Sequence, residues 1–386
     1  MTNTDFCYSP ELMSFEQALG ALINQVDCIA KPEPVDTLQA EGRIAAENVE
    51  APINVPNFPN SAMDGYALHS SDLEKHSTFR CVGKSFAGIP YDGDLKPGEC
   101  IRIMTGAVVP DSCDAVEMQE NVSVINEENA IPTVSFNQAI NAGQHIRPVG
   151  NDITAGQTVI KQGTRLTSSH IGLLASLGMS QVNVFKPIKV AVFTTGDELQ
   201  PLTNELSAGQ IYDSNRYMLM SFLAKYNFDI INLGLIGDDP EAIYQTLVKG
   251  DEQADVIITS GGVSVGEADF VKAQVERLGT LNLWKVAIKP GKPFAFGKLP
   301  KSLFLGLPGN PVSTYVTLSQ LAKPMLNKLQ GEFEPVKRLA KATLTETIKR
   351  HTGRKEFQRG LAEIDGNGNV TVKAQGNQSS GVLSSV

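Results

Sequence analysis

Along residues 14–27, "SFEQALGALINQVD", the apolar positions Leu19, Leu22, Ile23 and Val26 form a stripe on one helical face. Ser14 and Gln17 have the spacing of a capping box, so the segment predicts a helix. A second short helix is expected over 42–49. From about 65 to 140 the period shortens. Runs such as "IRIM" and "DAVEM" stand between Gly, Pro and Asp turns, as in a small β-rich domain. Residues 147–167 continue with Gly-marked turns, and "SSHIGLLASLG" (168–178) reads as a helix with Ser at its start and Gly at its end.

From 186 onward the pattern becomes strand–helix alternation. "IKVAVFTT", "DIINLGLI", "ADVIITS", "LWKVAI" and "SLFLGL" are near-continuous apolar runs. The helical patterns "NRYMLMSFLAKY", "PEAIYQTLVKG", "EADFVKAQVERLG" and "NPVSTYVTLSQLAKPMLNKLQ" are interleaved with them. Apolar strands separated by helices indicate a mostly parallel sheet covered on both faces. After about 331 short strands return, with the turn "DGNGNV". The expected fold is therefore multidomain α/β. A mixed N-terminal domain (1–55 and 141–180) receives an inserted β-rich domain (56–140). An α/β domain (181–330) and a small C-terminal β domain (331–386) follow. The chain stops at "GVLSSV" without a closing signal, which leaves a longer natural chain open.

Composition narrows the function. The 386 residues are 41% hydrophobic and 19% charged, with a net charge of −9. That balance argues against a general nucleic-acid or acidic-membrane surface, though a local anion pocket is compatible with it. The five dispersed cysteines form no C-x-x-C pair, which fits a reducing cytoplasm. The first residues carry no basic, apolar leader pattern, and no run is long enough to span a membrane.

In open α/β sheets ligands bind beyond the carboxyl ends of the strands. The unusual residues gather there: "TTGDEL" with Thr195 and Glu198, "GDDP" with Asp238, "SGGVSVGEADF" with Glu267 and Asp269, "KPGKPF" with Lys289 and Lys292, and "PGNPVS". Gly261 and Gly266 have P-loop spacing, but Glu267 stands where a P-loop needs Lys. Ser260, Gly261 and Gly262 can still present backbone N–H groups to a phosphate. Asn310 and Pro311 suit a helix start. Two lysines beside a Pro-Gly turn suit an anionic substrate. The carboxylates Glu198, Asp238 and Asp269 would oppose that charge unless Mg²⁺ or a similar divalent cation bridged them to phosphate. Earlier in the chain, "PNFPNSAMDGYAL" (56–68) places the lone carboxylate of Asp64 in a Pro-braced Asp-Gly turn.

Taken in order, "PNSAMDGYA", "RIMTGA", "TTGDEL", "GQIYDSN", "SGGVSVGEADF", "KPGKPFAFG" and "LPGNPVS" resemble the molybdopterin molybdenumtransferase family, which is similar to the C-terminal domain of gephyrin. The match runs from about residue 12 to the end with no block missing. The resemblance implies an elongated, four-part homodimer that takes adenylylated molybdopterin and molybdate, releases AMP and yields molybdenum cofactor with Mg²⁺. It implies catalytic roles for Asp64, Thr105, Glu198, Asp269, Lys289 and Lys292, with Glu198 and Asp269 also as metal ligands. Substrate contacts fall to Asp152, Thr195, Asp238, Ser260, Gly261, Gly262, Pro308, Gly309 and Pro311. Asp64 is expected to face the α/β domain of a partner subunit. Expected partners are a molybdopterin adenylyltransferase and the machinery that accepts the cofactor. Two other readings share these residues. A molybdopterin adenylyltransferase would need only the α/β domain, so "SAMDGYA" and "IMTGA" favour the transferase. A non-catalytic gephyrin-like scaffold would not need the full carboxylate and lysine set.

Overall fold

A computed structural model describes residues 12–126, 131–262, 270–333, 340–349 and 352–386. Among these, Asn48–Lys161 with Ser169–Ser180 form one compact unit and the remainder form a second, larger one.

The larger unit is organised by a six-stranded sheet. Its spatial order is Asp229–Ile236, Lys189–Thr195, Val256–Ser260, Leu303–Leu307, Pro293–Lys298 and Thr280–Lys285. The first three pairings are parallel and the last two antiparallel. The continuous apolar runs follow from burial on both faces. Val190 and Val192 pack with Ile258, Leu305 and Leu307 against the helices Ser214–Ala224 and Phe15–Asn24 and against the helical stretch from Pro311. The intervening Ala191 and Phe193 pack with Ile257 and Phe304 against the helices Pro240–Gln253 and Phe270–Leu278. Strand side chains alternate in direction, so two cores need an apolar residue at every position. Phe193, Phe296 and Phe304 are fully buried; each such burial contributes about 2–3 kcal/mol relative to exposure.

The helix Phe15–Asn24 carries the expected capping box of Ser14 and Gln17. The strand Pro293–Lys298 was absent from the expected set, and it runs antiparallel to both neighbours. Thr280–Lys285 consequently points the same way as Leu303–Leu307. The turn joining Thr280–Lys285 to Pro293–Lys298 therefore lies at the carboxyl edge of the parallel strands. "LWKVAI" is not one strand: Val286 N–H donates to the Lys292 carbonyl, and Ile288–Lys289 pairs separately with Lys355–Glu356. The helix expected over 42–49 does not form. There Ala45 N–H donates to Thr164, the Ile44 carbonyl accepts from Phe185, and Ile44 and Ala45 form isolated bridges to Arg165 and Val184. Long-range partners thus take the backbone groups a helix would have used. A three-stranded sheet of Thr343–Leu344, Val370–Ala374 and Gly360–Ile364 completes this unit.

The smaller unit is β-rich. Its six-stranded sheet has the order Ala115–Met118, Gly65–Leu68, Glu99–Ile103, Phe79–Ser85, Thr133–Phe136 and Val122–Val124. The helix Ser168–Ser176 lies where its pattern places it. No helix among the described residues is long and apolar enough to cross a membrane.

Candidate active site

At the carboxyl edge of the parallel strands the larger unit encloses a cavity of about 760 Å³. Of the residues singled out from the sequence, it brings together Thr195, Glu198, Asp238, Ser260, Gly261, Gly262, Lys289, Lys292, Pro308, Gly309 and Pro311. Glu267 and Asp269 lie outside the described residues.

Each strand end fixes its loop by a different device. After Lys189–Thr195, the Glu198 carbonyl accepts from Ile211 N–H at 2.8 Å, and a short parallel ribbon of Leu199–Gln200 with Ile211–Tyr212 holds the exposed Glu198 beside the cavity. Asp238 is tied to that loop by reciprocal bonds: its N–H donates to Asp197 Oδ1 (3.0 Å), and its Oδ2 accepts from Asp197 N–H (3.4 Å). After Val256–Ser260 the chain turns at Gly261, whose φ is +100°. A Cβ there would lie 2.8 Å from the Thr195 carbonyl oxygen, so both conformation and space require glycine. Ser260 is buried, and its hydroxyl donates to the Pro308 carbonyl (3.0 Å), which holds the glycine turn to the "PGN" turn.

The lysines come from the segment between Thr280–Lys285 and Pro293–Lys298. Lys289 lies on the short strand paired with Lys355–Glu356, and its ammonium is 3.6 Å from Glu356. Its side chain remains 55% exposed, so the charge stays available to a ligand. Lys292 is exposed and forms no ion pair among the described residues. Asn310 caps the helix Pro311–Thr317 by position only, since its side chain makes no capping hydrogen bond.

Sequence reasoning missed several cavity residues. Asp213 is buried. Its carboxylate accepts from Thr194 Oγ1 (2.8 Å) and Arg216 Nε (2.7 Å), which fixes the start of the helix Ser214–Ala224. Asn215 follows on that helix and reaches the cavity wall. Both lie in "IYDSN", a polar cluster at a helix start near the ligand edge, so a positional signal existed. Arg354, Ser379 and Ser380 also line the cavity. No local pattern marks them, because they arrive through long-range contacts: Arg354 beside the paired Lys355–Glu356, and Ser380 through its carbonyl, which accepts from Val312 N–H at 3.0 Å. The Thr195 hydroxyl is buried and has no hydrogen-bond partner among the described residues.

Asp64, Thr105 and Asp152 belong to the smaller unit. Asp64 Oδ1 accepts from both the N–H and the hydroxyl of Thr105, each at 2.7 Å. The Thr105 N–H, then its hydroxyl, hold the Asp64 carboxyl below the usual carboxylate range, with Arg102 adding to the effect. Gly65 is required beside it, because a Cβ would sit 1.9 Å from the Glu117 carbonyl oxygen on the neighbouring strand. Asp152 is exposed, and its N–H donates to the Val55 carbonyl at 2.9 Å.

The cavity lining therefore combines cations, carboxylates and the backbone of a glycine turn. That arrangement can hold a phosphate-bearing anion in one orientation. Among the described residues no three potential ligands form a metal cluster. Glu198 and Asp238 are the two carboxylates among the residues singled out that line the cavity.

Comparison with known proteins identifies the family. Residues 13–178 match the MoeA N-terminal region (domain I and II), 191–328 a probable molybdopterin binding domain, and 341–386 the MoeA C-terminal region (domain IV). The chain is 44% identical to a molybdopterin molybdenumtransferase of Haemophilus influenzae, over 97% of this chain and 92% of that protein. It is 34% identical to gephyrin of Dictyostelium discoideum, over 82% of this chain and 49% of that one. A solved structure of the molybdopterin biosynthesis moeA protein from Pyrococcus horikoshii OT3 superposes with a TM-score of 0.82 at 27% identity, covering 97% of this chain and 92% of that one. The chain belongs to the molybdopterin molybdenumtransferase (MoeA) family.

Proposed function

We propose that this protein is a molybdopterin molybdenumtransferase that takes adenylylated molybdopterin and molybdate, releases AMP and forms molybdenum cofactor. The observation that carries the reading is the cavity lined together by Lys289, Lys292, Glu198, Asp238 and the Ser260–Gly262 turn. The lysines suit the phosphate and molybdate oxygens, since charge-assisted bonds to such anions are stronger than neutral ones. The glycine turn and Thr195 orient the phosphate. Glu198 and Asp238, with Asp269, would hold a Mg²⁺ that neutralises phosphate charge.

The reading extends to the whole molecule. The enzyme is a cytoplasmic homodimer of four-part subunits, divided as the sequence suggests. Asp64 and Thr105 of one subunit serve the cavity of the other, and Asp152 contributes to substrate binding. A molybdopterin adenylyltransferase supplies the substrate, and acceptor proteins for molybdenum cofactor take the product. The N-terminal family region over 13–178 supports this over an adenylyltransferase, which would need only the α/β domain. The cavity's charged groups support it over a scaffold.

The purified protein is expected to consume adenylylated molybdopterin and release AMP when molybdate and Mg²⁺ are present. It should not make the adenylylated form from molybdopterin and ATP. Synthesis from ATP would establish the adenylyltransferase instead, and inactivity in both directions would favour the scaffold.

A further inference from the structure

One side chain joins two of the turns that form the cavity. Asn215 is the second residue of the helix Ser214–Ala224, whose start is locked by the buried Asp213–Arg216 pair. From there its Nδ2 donates to Ser260 Oγ at 2.9 Å and to the Gly309 carbonyl at 2.7 Å. Both N–H bonds of the amide are used, one on each turn. Its Oδ1 is buried and unpartnered among the described residues. Leaving a buried acceptor unpaired is unfavourable. An amide that bears this penalty while placing both donors is suited to bridging.

We infer that Asn215 is a positioning residue for substrate binding, holding the Ser260–Gly262 turn and the Pro308–Asn310 turn at a fixed separation. The inference rests on the reading of this cavity as the adenylylated-molybdopterin site. Glu198 and Lys289 are held by other contacts, to Ile211 and to the Lys355–Glu356 strand. The bond from the Ser260 hydroxyl to the Pro308 carbonyl (3.0 Å) remains, so loss of the bridge should loosen, not separate, the backbone groups that meet the phosphate and leave the charged groups in place. That pattern removes binding shared by ground and transition states, so KM should change more than kcat.

The test compares Asn215→Ala with Asn215→Leu, which keeps a branched side chain without donors, at a larger volume. Amide hydrogen exchange is measured on the substrate-free protein in peptides spanning 303–314. AMP release is measured across an adenylylated-molybdopterin titration at saturating molybdate. Both variants are expected to fold cooperatively and to exchange faster in that segment. They should raise KM about tenfold with kcat within about threefold of wild type. Wild-type exchange and KM in Asn215→Leu would reduce the residue to packing and overturn the inference. So would failure of both variants to fold, or a fall in kcat with KM unchanged. If the wild type itself releases no AMP, the functional reading fails, and the exchange comparison alone then decides whether Asn215 holds the turns.

Discussion

Two donors from one residue converge on Asp64, and this determines how that carboxyl titrates. Its pKa is depressed by the Thr105 N–H and hydroxyl. A depressed carboxyl adds stability that is present above its unfolded pKa and disappears as pH falls through the folded value. Thr105→Val removes the hydroxyl but keeps the N–H. The Asp64 carboxyl should then titrate closer to the ordinary range in an NMR pH titration. The stability difference between the two proteins should be present at neutral pH and vanish in acid. An unchanged Asp64 titration would show that the hydroxyl bond does not form in solution. Lys289 gives a second prediction at this scale. Its ammonium is exposed, but its partner Glu356 is only 8% exposed, so removing the lysine leaves a buried carboxylate with Gln358 as its side-chain partner. Lys289→Ala should therefore lower the melting temperature as well as raise KM for the anionic substrate about tenfold. A large fall in melting temperature with unchanged kinetics would make the lysine structural.

Among the elements, the turn after Val256–Ser260 is the most constrained. Gly261 combines a φ of +100° with a backbone oxygen 2.8 Å from any Cβ. Gly261→Ala should destabilise the protein by about 1–3 kcal/mol, measured by denaturant unfolding, because strain in such regions has that size. A neutral result would mean the turn relaxes freely and cannot orient a phosphate. The same element was legible in the sequence, since "ADVIITSGG" joins an apolar run to paired glycines. Two segments were not legible, each because distant partners decided them. Residues 42–49 have a helical look, but their backbone groups are taken by Thr164 and Phe185. Pro293–Lys298 begins with a proline and follows a Pro-Gly turn, so it reads as loop until Leu303–Leu307 and Thr280–Lys285 flank it.

For the molecule as a whole, the edge where chemistry gathers could be read from strand ends alone, because parallel strands put all their carboxyl ends together. The wall built from Arg354, Ser379 and Ser380 could not, because a loop more than sixty residues beyond Lys289 has no local mark of its destination. The proposed shared site in a homodimer makes a prediction at this scale. Asp64→Asn and Lys292→Ala homodimers should each be nearly inactive, and subunit exchange between them should restore part of the activity. Verified exchange without recovery would place all catalytic groups of a site on one chain. The most direct measurement of the central claim is a single turnover of enzyme-bound adenylylated molybdopterin with molybdate, counting AMP released and molybdenum retained on the pterin product. The account predicts that the two appear together and in equal amounts, with little AMP when molybdate is withheld. AMP release at the same rate without molybdate, or without molybdenum in the product, would identify a simple hydrolase and contradict it.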